Sequence, residues 1–124
     1  MKYRVILLIV TFLNLSGCYY DNEEDLYPVS KLNCDTADMH FNANIFPVIQ
    51  NRCNACHSAQ NAPSIGGGIP LETYNQIKAA VDNGTLYGSV SGNPDYYLMP
   101  KDQRLDNCTI LCIKAWIDKG GVND

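Results

Sequence analysis

The sequence lacks the features that are typical of membrane-spanning, nucleic-acid-binding, β-sheet and repeat proteins. No apolar run reaches the roughly 18 residues that a membrane-spanning helix needs, since the longest covers only residues 5–13. The chain has 9 basic against 13 acidic residues, which argues against nucleic acid as a partner. No segment has the alternating pattern of a strand, and no internal repeat occurs. A nearly all-α protein with one domain is therefore expected.

One short motif, Cys53-Asn54-Ala55-Cys56-His57, identifies the chemistry. Two thiols at this spacing, followed at once by a histidine, form the attachment pattern of a c-type haem in an exported protein. The thiols add to the two vinyl groups of the haem, and His57 becomes the proximal iron ligand. A redox dithiol normally lies in a βαβ unit, and a zinc site needs a second pair of ligands at suitable spacing. The sequence has neither. One such motif predicts one covalent haem c.

The N-terminus carries an export signal. Two basic residues precede the apolar residues 5–13, as in the charged and apolar regions of a signal peptide. Leu15-Ser16-Gly17-Cys18 resembles the lipobox of bacterial lipoproteins, in which cleavage before the cysteine leaves that residue lipidated. Residues 1–17 are therefore predicted to be a lipoprotein signal peptide and Cys18 the lipidated first residue. An ordinary signal peptide or an uncleaved anchor is the alternative.

The next segment, residues 18–33, is acidic and aperiodic, which predicts a flexible tether. Glu23, Glu24 and Asp25 resemble surface-export signals of some diderm bacteria, with a solvated linker as the alternative. Tyr19 stands where an aspartate retains some lipoproteins at the inner membrane. The resemblance therefore implies lipid anchoring at the outer membrane, on the periplasmic side or at the cell surface. Loss of the signal leaves a net charge of −6, which favours a partner with a basic docking patch.

Residues 34–124 are expected to form one small domain with three or more short helices. The first helix covers residues 44–51, with Asn44 as N-cap and Pro47 in the first turn. Residues 66–68 are all glycine and predict a flexible loop.

Two further helices have clear end signals. One runs from Tyr74 to Asp82 behind a capping box of Thr73 and Gln76. The last covers residues 107–119, with Asp106 as N-cap and two glycines at its end.

The order of these features resembles class I cytochrome c over residues 43–122. The attachment motif is followed by a glycine-rich loop, a short helix, Met99-Pro100 and a terminal helix with Trp116. Met99-Pro100, Leu105-Asp106-Asn107-Cys108 and the run from Ile113 to Gly120 also resemble the small cytochrome c domains of bacterial outer-membrane lipoproteins. The resemblance implies a small cytochrome c fold, a His/Met-ligated haem and electron transfer with redox partner proteins, not enzymatic catalysis.

Met99 is the candidate for the second axial ligand. It follows His57 by 42 residues, which is enough chain to reach the distal face of the haem. A thioether is a soft ligand that favours ferrous iron and raises the reduction potential. The alternative is that Met99 is an ordinary core residue. Met39 and His40, upstream of the first helix, are competing ligands.

In cytochromes of this type the ligating histidine donates its other ring N–H to a carbonyl in a proline-containing loop. Pro70 is the candidate for that acceptor, with Leu71 beside it. Several side chains are candidates for contacts with the haem edge or propionates, with ordinary core packing as the alternative: Arg52, Tyr74, Tyr87, Tyr97 and Trp116.

Three cysteines remain after lipid and haem, and an oxidising compartment predicts one disulfide among them. The resemblance favours Cys34–Cys108, which would clamp the first and last helices. Cys112 is then a buried free thiol. Cys34–Cys112 stays the alternative, because helical positions four apart share a face.

Two other functions remain open. A haem enzyme, or a sensor of peroxide, oxygen or nitric oxide, needs an open distal site. A binding module with a structural haem is also consistent with the small core of residues 34–124. Ligation by Met99 discriminates against the first, and reversible redox cycling discriminates against the second.

Overall fold

The computed structural model describes residues 34–101 and 103–124, so the predicted signal peptide, Cys18 and the tether lie outside the described residues. Within these ranges the protein is a small all-α domain without strands, as predicted. A π-helical turn, Phe41–Ile45, runs into helix α1, Phe46–Arg52. The remaining helices are α2, Asn54–His57; α3, Ala62–Ile65; α4, Tyr74–Asp82; α5, Thr85–Ser91; and α6, Asn107–Asp118. None of them combines the length and apolarity needed to cross a bilayer.

The first helical segment begins earlier than predicted, and Asn44 is not its N-cap. The backbone is helical from Phe41, whose N–H donates to Asp124 Oδ1 at 2.8 Å. This bond from the C-terminus satisfies one of the unpaired N–H groups at a helix start. Asn44 Oδ1 instead accepts the His40 N–H at 2.9 Å, from inside the helical segment. Pro47 lies in the first turn of α1, as predicted.

Helices α4 and α6 follow their sequence signals. Thr73 Oγ1 accepts the Gln76 N–H at 3.4 Å, and Gln76 Oε1 accepts the Thr73 N–H at 3.0 Å, which completes the capping box. Asp106 Oδ1 accepts the Thr109 N–H at 2.9 Å and caps α6. These local signals suffice because both partners of each cap lie within one turn.

An aromatic cluster joins the π-helical turn to α4 and α6. The Phe41 ring lies edge-on to Tyr74 at 5.0 Å between centroids and tilted against Trp116 at 5.6 Å. Trp116 Nε1 donates to the Val122 carbonyl at 2.9 Å, and the Tyr74 hydroxyl donates to the Gly121 carbonyl at 2.8 Å. The polar atoms of Tyr74 and Trp116 thus bind backbone carbonyls of the segment after α6.

A disulfide joins Cys34 to Cys108, with Cα atoms 5.5 Å apart. It is the pairing that the resemblance implied, and it connects the segment before the helices to the first turn of α6. Closing a loop of 74 residues restricts the unfolded chain and stabilises the fold by about 4 kcal/mol. Cys112 is a free thiol, but it is only partly buried.

Candidate cofactor-attachment site

The attachment motif occupies the junction of α1 and α2. Cys53 ends α1 by donating its N–H to the Ile49 carbonyl at 2.9 Å. The Cys53 carbonyl then accepts the N–H groups of Cys56 at 3.1 Å and His57 at 2.9 Å. These bonds hold the two cysteines and the histidine on one turn of backbone. Both thiols are free, that of Cys56 exposed and that of Cys53 partly buried.

The protonation of Cys53 argues against a redox dithiol. Burial raises the pKa of the Cys53 thiol to about 11, against the opposing influence of Arg52. A catalytic C-x-x-C pair depends on a lowered thiol pKa. Zinc is also disfavoured, because residues 34–101 and 103–124 contain no group of three or more His, Cys, Asp or Glu side chains able to hold a metal ion.

His57 is held from two sides by the segment after α3. Its Nδ1 lies 2.7 Å from the Ile69 carbonyl oxygen, and its own carbonyl accepts the Leu71 N–H at 2.7 Å. Because a carbonyl only accepts, Nδ1 carries the ring proton and Nε2 has the free lone pair that a metal needs. In the described part of the chain Nε2 has no hydrogen-bond partner.

The acceptor carbonyl belongs to Ile69, not to Pro70. A proline disfavours the helical region for the residue before it, and Ile69 lies outside any helix. Leu71 contributes its backbone N–H while its side chain is buried in the core.

A close contact at Gly66 was missed by the sequence analysis. A Cβ atom at this position would lie 2.5 Å from the Cys56 carbonyl oxygen and 2.8 Å from Ala62 Cα. The N–H groups of Gly66 and Gly68 both donate to the Ala62 carbonyl, at 3.1 and 2.8 Å. The glycine-rich segment therefore begins as a hydrogen-bonded turn that lets α3 approach the attachment motif.

Met99 lies on the loop between α5 and α6 and is partly buried. Its N–H donates to the Ser89 carbonyl in α5 at 3.1 Å. Upstream in the same loop, the Tyr96 ring lies so close to Gly88 that a Cβ there would be 2.3 Å from a ring carbon. Helix α5, which the sequence analysis missed, thus fixes the loop that carries Met99. No hydrogen bond joins this loop to His57 within the described residues.

We predict that Gly88→Ala destabilises the domain by about 1–3 kcal/mol, because the added methyl group overlaps the Tyr96 ring. In a helix interior the same change normally stabilises, by up to about 1 kcal/mol. Thermal unfolding of Gly88→Ala alone and in a Tyr96→Ala background measures both effects. An equal effect in the two backgrounds would contradict the contact.

The two competing ligands, His40 and Met39, both make contacts within the folded domain. His40 Nδ1 lies 2.9 Å from Asp124 Oδ2 and Nε2 lies 3.1 Å from Asp38 Oδ1. Hydrogen bonds with Asp38 and Asp124 raise the pKa of His40, so the protonated ring, which cannot bind a metal, is favoured. Met39 is buried in the core. Met99 therefore stays the prediction for the second ligand.

Exposed apolar side chains concentrate on the two segments that hold the site. Four of the five large apolar side chains that are exposed among the described residues are Ile65, Ile69, Tyr97 and Leu98. Tyr97 is 86% exposed, so it does not shield Met99 in the polypeptide alone. These side chains are apolar surface that a bound ligand could cover. Together with two free thiols and an imidazole of fixed tautomer, they fit a covalently bound haem.

Comparisons of this chain with protein-family models, curated proteins and solved structures found no match.

Proposed function

We propose that this protein is a monohaem c-type cytochrome that transfers single electrons outside the cytoplasm. Cys53 and Cys56 would hold the haem through two thioethers, and His57 and Met99 would ligate its iron. The haem supplies the one-electron redox chemistry, while the protein sets its potential and access. The all-α domain would then be a small cytochrome c fold that encloses one haem and exchanges electrons with redox partner proteins.

The observation that carries this proposal is the fixed imidazole of His57 beside two free thiols. The bond from Nδ1–H to the Ile69 carbonyl, at 2.7 Å, fixes the orientation of the ring. It also makes Nε2 donate its electron pair more strongly to a metal. A stronger imidazole donor favours ferric iron, whereas the Met99 thioether favours ferrous iron. The balance of these two ligands would set the potential.

Two protein ligands for the haem iron favour electron transfer over catalysis. Met99 would fill the sixth coordination position and leave no open site for peroxide, oxygen or nitric oxide. Helix α5 fixes the backbone at Met99 itself, through the Ser89 carbonyl, and three residues upstream, through the packing of Tyr96 on Gly88. A defined loop of this kind suits a permanent ligand.

The test is to produce the full chain with a haem-attachment system and to examine the purified holoprotein. A pyridine haemochrome assay should report one haem that acid–acetone does not extract. A potentiometric titration should follow a reversible one-electron curve, and carbon monoxide should leave the ferrous spectrum unchanged. Rapid carbon monoxide binding would instead indicate an enzyme or sensor, and extractable haem would contradict the proposal.

We also propose that Cys18 anchors the protein by lipid to the outer membrane. Cys18→Ala is then expected to release a soluble or unprocessed form, because no helix of the described residues is suited to hold a membrane. Fractionation of cells that express either form, with mass determination of the N-terminus, measures this. Membrane retention of a cleaved Cys18→Ala protein would contradict lipid anchoring.

A further inference from the structure

Three cysteines meet where the segment before the helices crosses α6. Cys108, in the first turn of α6, forms the disulfide with Cys34, and Cys112 lies one turn later as a free thiol. Helical residues four apart share a face, with Cβ atoms about 5–6 Å apart. Cys112 Sγ also lies 3.9 Å from the carbonyl oxygen of Asp35, the residue next to Cys34. The free thiol therefore lies on the side of α6 that the Cys34 segment covers.

We propose that Cys112 exchanges with the Cys34–Cys108 disulfide, so that the cross-link moves between two positions on α6. The Cys112 thiolate attacks Cys34 Sγ, and a Cys34–Cys112 bond forms as the Cys34–Cys108 bond breaks. Cys108 leaves as a thiolate and takes up the proton that Cys112 released. One disulfide and one thiol are present before and after, so the step needs no oxidant or reductant.

Of the two sulfurs of the disulfide, Cys34 is the one whose attack by Cys112 gives a second cross-link between the same two parts of the fold. Attack on Cys108 would form a disulfide between two positions of one helix and release Cys34 from α6. Attack on Cys34 keeps the segment attached and moves its point of attachment by four residues, about 6 Å along the helix. The exchange therefore moves the cross-link of Cys34 along α6 without releasing Cys34 from the helix.

The surroundings of Cys112 make the exchange slow at neutral pH. Burial raises the pKa of the Cys112 thiol, and the carboxylates of Asp106 and Asp35 add to this effect. Only the thiolate attacks a disulfide, so the rate rises with pH. The exchange is therefore slow at neutral pH and faster at alkaline pH, and the protein stays cross-linked throughout.

The experiment traps whichever thiol is free in the native holoprotein. The full chain is incubated at about pH 8.5 with a low concentration of iodoacetamide, so that exchange precedes alkylation. Trypsin leaves both helix cysteines on the peptide 105–114 and Cys34 on the peptide 32–52. Further cleavage after Leu111, or fragmentation by mass spectrometry, separates Cys108 from Cys112. We expect at least about a tenth of the label on Cys108, paired with a Cys34–Cys112 disulfide.

Two variants complete the test. Cys112→Ser should carry no label on Cys108, because the attacking thiol is absent. Cys108→Ser should form the Cys34–Cys112 disulfide when produced in an oxidising compartment. Label confined to Cys112 in the wild type, label on Cys108 in Cys112→Ser, or two free thiols in folded Cys108→Ser would each overturn the proposal. If Cys108→Ser does not fold, the labelling of the wild type decides by itself.

Discussion

Met99→Ala is expected to open the sixth coordination position of the iron and to lower the reduction potential of the haem. A thioether stabilises ferrous iron, and its loss removes that preference. The only other methionine in the described residues, Met39, is buried in the core and is not available as a substitute. The weak near-infrared band of methionine-to-ferric charge transfer should disappear. The potential should fall by more than the ~59 mV that a tenfold change represents for one electron.

Met39→Leu is the matched control, because it removes a thioether from the core with little change of volume. It should keep both the near-infrared band and the potential. A wild-type protein without the band, or a Met99→Ala protein with an unchanged spectrum and potential, would show that Met99 is not the ligand. The open-site alternative, a haem enzyme or gas sensor, would then be the better explanation.

The fold could be predicted where helix ends are set by neighbouring side chains. The capping box of Thr73 and Gln76 fixed the start of α4, and Asp106 fixed the start of α6, as the structure confirms. In both cases donor and acceptor are three residues apart, so the whole interaction is visible in a short window of sequence.

The fold could not be predicted where the stabilising partner is distant. The π-helical turn starts at Phe41 because Asp124, at the other end of the chain, accepts its N–H. Helix α5 contains a glycine and two serines, which are poor helix formers, and its N-cap residue, Gly84, has no side chain to cap it. Its buried residues Leu86 and Val90 and the fit of Tyr96 against Gly88 hold it in place, and these are tertiary contacts.

The candidate site divides in the same way. The two cysteines and His57 are recognisable because the chemistry requires those residue types at that spacing. The partner of His57 is a backbone carbonyl, which every residue has, so the sequence indicated the segment but not Ile69. The role of Gly66 depends on the lack of space beside the Cys56 carbonyl, where a Cβ at position 66 would lie only 2.5 Å from the oxygen, and no local pattern reveals this.

Replacing Cys53 and Cys56 together by alanine is expected to abolish covalent haem and to leave the domain largely unfolded. A domain of this size has a free energy of unfolding of only about 5–15 kcal/mol. Ile69 and Leu98 are exposed in the polypeptide and would be covered by the haem, so its loss removes apolar burial that the small core does not replace. Circular dichroism should show a loss of helix and of the cooperative thermal transition, and the pyridine haemochrome signal should vanish after acid–acetone extraction.

Cys112→Ser is the matched control, because it removes a partly buried thiol outside the attachment motif. It should keep one covalent haem and a cooperative transition, which separates the loss of thioethers from a general sensitivity to cysteine replacement. Haem that resists extraction in the double variant would contradict attachment through Cys53 and Cys56. A well-folded double variant without haem would leave attachment intact but refute the dependence of the fold on haem. In that case the Cys34–Cys108 disulfide and the cluster of Phe41, Tyr74 and Trp116 would be sufficient to hold the helices together.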